Sequence, residues 1–112
     1  MVFKIKDLEY ALERYTNIVG DIQDNSKRVN TNKRQAFINA FIGQANLHNL
    51  RELFDTKDTN NIRYAFKRHN EKLLTQFDYN ENLYIAKRIK LQSISKKYDE
   101  KILKTAYASE IY

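Results

Sequence analysis

No proline and only two glycines interrupt this chain of 112 residues. Tight hairpin turns draw on glycine, Asn-Gly pairs and proline, which argues against a turn-dense all-β fold and makes helices the arrangement to test. At this length one domain over residues 1 to 112 is expected, and folding should bury roughly 60 to 70% of the unfolded chain's surface. With 42% hydrophobic residues there is enough apolar volume for a core, while 30% charged residues keep its exterior solvated.

The apolar spacing supports helices. Ile5, Leu8, Leu12, Tyr15, Val19 and Ile22 recur at intervals of three and four, a heptad seam along one stripe of a helix ending near Asp24. Asp7, Glu9 and Glu13 suit the positive end of its dipole, and Gly20 is a weak point inside the pattern. The polar stretch from Asn25 to Thr31 reads as a loop. Asn32 and Gln35 resemble a capping box that opens a second helix reaching Phe54. Its apolar residues project onto nearly all sides, which makes it the central, most buried helix.

A break at Asp55 to Asp58 leads to a third, amphipathic helix carrying Ile62, Phe66, Leu73 and Phe77. Asp78 with Glu81 caps a long fourth helix to about Ala108, a span of roughly 40 Å at 1.5 Å per residue. The expected fold is therefore all-α, a compact bundle of about four helices with the last one long. Close helix crossings are the expected reason for Gly20 and Gly43.

Several chemistries are excluded by composition. There is no cysteine, hence no disulfide framework, zinc finger or thiol catalysis, and two glycines cannot build a phosphate-binding loop. His48 and His69 fall on different helices, with His48 expected at the edge of the core and His69 facing solvent, so no metal site is expected. Asp99 and Glu100 are adjacent and diverge, and Asp21 with Asp24 lies near a helix end, so paired-carboxylate hydrolysis has no basis. The beginning MVFKIKDLEY lacks an apolar signal core, and no run approaches a membrane span. A cytoplasmic location without membrane, cofactor or small-molecule substrate is expected.

Charge is unevenly placed. Residues 1 to 24 carry a net −2, residues 25 to 54 a net +4, residues 55 to 78 a net +1 and residues 79 to 112 a net +3, within a total of +6. Lys90, Lys97, Lys101 and Lys104 fall within about 60° of one another on the last helix, and Lys27, Arg28, Lys33 and Arg34 cluster near the second. Either group can follow a phosphate backbone, which makes sequence-nonspecific DNA or RNA binding the alternative functional reading. No recognition-helix motif or RNA-binding aromatic signature accompanies the charge.

The run Arg63-Tyr64-Ala65-Phe66-Lys67-Arg68-His69 places an arginine six residues before a histidine within a helical domain. Over these seven residues it resembles the HEPN ribonucleases, all-α domains in which a composite site cleaves RNA. The resemblance implies Arg63 and His69 as the site of a third, enzymatic reading. Tyr64 stands where that family has a polar residue. Six positions on a helix are about 240° apart, so a distorted turn or a second chain would have to bring the two together.

The last helix also has an excess of apolar surface. Leu91, Ile94, Tyr98 and Ile102 form one stripe, and Ile85, Ile89, Leu103 and Tyr107 form another roughly opposite. Two explanations, which are not exclusive, fit this excess: the helix breaks near Gln92 or Ser93 and its halves pack on different neighbours, and part of its surface is a partner interface. The expected function is thus non-catalytic. A protein partner, a second copy or a host protein, covers Ile85, Ile89, Leu103 and Tyr107. The abundance of Lys, Asn, Ile and Tyr, about two fifths of the chain, is that of an AT-rich genome. A small phage or mobile-element accessory protein, an adaptor or inhibitor acting in the host cytoplasm, is the expected context.

Overall fold

A computed structural model describes the backbone of residues 3–22, 28–54 and 59–111, and the side chains of residues 3–22, 28–54 and 62–94. The described chain is all-α and contains five helices: α1 (Ile5–Val19), α2 (Arg28–Phe41), α3 (Leu47–Leu53), α4 (Thr59–Thr75) and α5 (Phe77–Ile111). The last is the long one, at 35 residues.

Helix α2 is the axis of the bundle, as its all-round apolar pattern implies. Phe37, Phe41, Ala36 and Ala40 pack with Phe3, Leu8, Ala11 and Tyr15 on the α1 side and with Tyr79, Leu83, Ala86 and Ile89 of α5. Ile38 faces the other way, into a smaller cluster with Leu50, Ile62 and Ala65 of α3 and α4. Side-chain pairings give the directions. Tyr15 donates to the Lys33 carbonyl while the Phe3 amide donates to that of Gln44, so α1 runs antiparallel to α2. Asn32 meets Asp78 and Gln44 meets Lys90, so α2 and α5 run parallel, with α4 antiparallel between them.

Both glycines act at turns and neither at a helix crossing. Gly20 has φ +88° and Gly43 φ +93°, a region that L side chains rarely adopt, and a Cβ at either would meet open space within 4 Å. Gly20 therefore stops α1 at Val19, short of Asp24, with its amide bonded to the Thr16 carbonyl. Gly43 divides the expected second helix in two, and Asn46 restarts it as α3 by accepting the Asn49 amide at 2.8 Å.

Other boundaries shift as well. The α2 helix already begins at Arg28, so Arg28 to Thr31 is helix where a loop was expected, and Asn32 is an interior residue with no capping role. Residues 25–27 and the expected break at Asp55 to Asp58 lie outside the described residues. Between α4 and α5 only Gln76 is non-helical. Its amide bonds the Lys72 carbonyl, its own carbonyl accepts the Asn80 amide, and the Asn80 side chain ties it to Leu73. Asp78 thus sits in the first turn of α5, one residue past its start, at the positive end of the dipole. The α5 backbone is helical straight through Gln92 and Ser93, so the expected break there does not occur.

Candidate functional site

The continuous α5 has to satisfy one core with one face. Tyr79, Leu83, Ala86 and Ile89 are separated by four, three and three residues and form that face. At 100° per residue the opposite side carries Phe77, Tyr84 and Leu91, each seven residues from the next, and these large side chains are 78%, 68% and 63% exposed. Ile18 at the end of α1 is 61% exposed and lies across a cleft of about 560 Å³ that Tyr84, Glu81, Ile85 and Val19 help to line. Scattered exposed apolar residues are ordinary in proteins, but an aligned stripe beside a cleft is the form that a docking surface takes.

This stripe is not the one expected from the sequence. Ile89 is only 2% exposed and belongs to the chain's own core, and Ile85 is half-buried against the same cluster. The correction is about one residue of helical phase: Ile85 and Ile89 turn inward because Tyr79, Leu83 and Ala86 close over α2, which leaves Tyr84 outside. Leu91 is exposed and Ile94 packs partly on the core, so that second stripe is divided too. Leu103 and Tyr107 lie outside the described side chains.

Among the described residues, the expected cationic side chains differ in exposure. Lys90 is half-buried and reaches Gln44 Oε1 at 3.4 Å, and burial, followed by the charge of Lys87, lowers its pKa. Arg34 turns inward to the Ile22 carbonyl and to Thr31, with its pKa lowered by burial. Lys33 is half-buried and Arg28 exposed. Lys27, Lys97, Lys101 and Lys104 lie outside the described side chains.

Three helices share a buried polar seam that sequence reasoning did not find. Asn32, Gln35 and Asn39, spaced by three and four, are buried on α2. The Asn32 amide donates to Asp78 at 2.9 Å, and its oxygen accepts the Lys72 ammonium at 2.6 Å. Burial lowers the Lys72 pKa, the nearby Arg68 adds to this, and Asp78 and Glu71 oppose it. Asn39 Nδ2 donates to the carbonyls of Gln35 and Ala65 and to the Tyr79 hydroxyl, at 2.9 to 3.0 Å. An amide nitrogen can only donate, so the Tyr79 oxygen accepts and its own hydrogen goes to His69 Nδ1. The neutral imidazole therefore carries its proton on Nε2. Burial pushes the Tyr79 phenol up to about 12, against the pull of the Asn39 hydrogen bond. The spacing of Asn32, Gln35 and Asn39 within an otherwise apolar helix was the available signal.

The two histidines exchange their expected roles. His48 is exposed on α3, with Nε2 3.8 Å from Glu52, and His69 is the half-buried one. Burial and then the charge of Lys87 lower the His69 pKa. The neutral ring is thus favoured by folding. Stability that it carries is present above the unfolded value of about 6.5 and is lost as the pH falls through the folded value. Denaturation midpoints are expected to decline between pH 7.5 and 5.5 in the native chain and to change less in His69→Gln, whose amide oxygen can still accept from Tyr79. Parallel pH profiles from urea titrations would contradict this assignment.

Arg63 and His69 stay apart, because α4 is regular between them. Arg63 is exposed beside a second cleft of about 430 Å³, lined by Ile42, Ala45, Leu47, Ile62 and Phe66, while His69 faces Tyr79. Among the described residues no group of three or more His, Cys, Asp or Glu could hold a metal ion, and no helix is long and apolar enough to cross a membrane. Comparison with protein-family models, with curated proteins and with solved structures finds no match to this chain.

Proposed function

We propose that this protein is a non-catalytic binding module that docks a protein partner on the outer face of α5, in an adaptor or inhibitor role. The observation that carries the reading is the alignment of Phe77, Tyr84 and Leu91, all more than 60% exposed, beside the Ile18 cleft. Aromatic side chains dominate interface energetics because they bury large areas at small entropic cost, and a stripe centred on a tyrosine is suited to that use. Arg88 and Lys87 flank it and supply a polar rim.

Capture from a lysate of the source organism tests the reading, with the tagged chain and its Tyr84→Lys variant compared with and without nuclease. A protein partner is expected to survive nuclease and to be lost, by at least about tenfold, with Tyr84→Lys. Circular dichroism should show the variant folded, since Tyr84 contributes little to the core. Loss of every captured protein after nuclease would favour the basic residues and a nucleic-acid ligand instead.

A further inference from the structure

The docking face, on which this inference rests, has a symmetry that selects its occupant. Phe77 and Leu91 stand seven residues before and after Tyr84. On one flank of the stripe Glu81 and Arg88 lie three before and four after it, and on the other Asn80 and Lys87 lie four before and three after. All four positions are within about 60° of the stripe at 100° per residue. Glu81, Lys87 and Arg88 are exposed.

We propose that the occupant is a second copy of this chain, its α5 lying antiparallel across the first about a twofold axis at Tyr84. In that arrangement the residue n positions after Tyr84 lies opposite the residue n positions before it. Phe77 of each copy meets Leu91 of the other, and Tyr84 meets its own image. A twofold axis perpendicular to both helices keeps each flank on its own side. Glu81 therefore comes within one residue's rise of Arg88 of the other copy, and Asn80 within the same distance of Lys87, each pairing occurring twice. A parallel pair, whose axis runs along the helices and exchanges the flanks, would instead bring Arg88 within one residue's rise of Lys87 of the other copy, like against like, and leave Glu81 beside Asn80. The charges thus complement one another in only one of the two orientations. The cleft beside Ile18 opens on the flank that carries Glu81, where Arg88 of the second copy arrives.

The seam is apolar only at every seventh residue, so the dimer is a weak one, with half-association at about 10 to 100 µM. Sedimentation equilibrium of the full chain from 5 to 500 µM is the test. The weight-average mass should rise from that of one chain, 13.4 kDa, toward twice that value. Arg88→Glu should weaken association at least about tenfold by opposing Glu81. The double variant Glu81→Arg with Arg88→Glu, which restores opposite charges across the axis, should recover it, and Tyr84→Lys should abolish it. A chain that stays monomeric at 500 µM overturns self-pairing, as does a dimer indifferent to Arg88→Glu and Tyr84→Lys. If the chain is monomeric while Tyr84→Lys still loses a different captured protein, self-pairing alone has failed. If Tyr84→Lys loses neither, the docking face has failed with it.

Discussion

Replacing Phe37 with alanine should remove about 3 to 5 kcal/mol from the folding free energy. The ring is fully buried at the centre of α2 and meets Tyr15 at 5.3 Å, Phe41 at 4.6 Å and Phe54 at 5.9 Å between centroids. Truncation deletes these contacts and leaves a cavity that α1, α3 and α5 cannot all close at once. A domain of this size has roughly 5 to 15 kcal/mol in total, so the variant should be near the edge of folding at 37 °C. Urea denaturation followed by far-ultraviolet circular dichroism measures the loss. A change below about 1 kcal/mol would mean that α2 is not the axis of the bundle.

The second large effect is electrostatic. Asn39→Asp preserves shape but places a carboxylate against the carbonyl oxygens of Gln35 and Ala65, where the amide now donates. An uncompensated buried charge costs about 3 to 5 kcal/mol, and that is the expected destabilisation at pH 7. The folded carboxyl should have its pKa raised above the ordinary value of about 3.9, because burial and the facing carbonyls favour the protonated form. The deficit should then shrink as the pH falls through the folded pKa and approach its minimum near pH 4. Comparison of Asn39→Asp with the native chain at pH 7 and pH 4 checks the sign. A deficit that is independent of pH would show that position 39 is hydrated and outside the seam.

Much of the architecture follows from spacing that the sequence displays openly. Leu8 and Tyr15 are buried as the heptad seam of α1 requires, with Leu12 and Val19 half-buried beside them, whereas Ile22 is buried from beyond the end of the helix at Val19, and the all-round pattern of α2 marks it as the axis. The two glycines misled because their cost inside a helix and their use in a turn leave the same trace in a sequence. Only φ values of +88° and +93° decide between them. Asn46, which restarts the chain as α3, lies only three residues past Gly43, too close to it to read as a separate element.

The apolar excess of α5 was legible in the sequence, but the phase of its exposed stripe was not. The sequence shows that α5 has more apolar surface than one core needs. Which stripe faces inward depends on how Tyr79, Ala86 and Ile89 meet Phe37 and Phe41, a tertiary choice that periodicity alone leaves open. A shift of one position exchanges Ile85 for Tyr84. The polar seam escaped because Asn32 and Gln35 read as a capping box at a helix start, and because Lys72 and Asp78 come to Asn32 from 40 and 46 positions away.

The central claim is that protein covers the outer face of α5. Photo-cross-linking from position 84 tests it most directly, with a benzophenone amino acid in place of Tyr84 and, as the control, in place of the exposed Glu9 on α1. Irradiation in cells of the source organism is expected to yield discrete adducts from position 84, at the mass of two chains or of chain plus partner, and none of these from position 9. The adducts should vanish when Leu91→Glu is added. Adducts that form equally from both positions, or that persist with Leu91→Glu, would contradict the account.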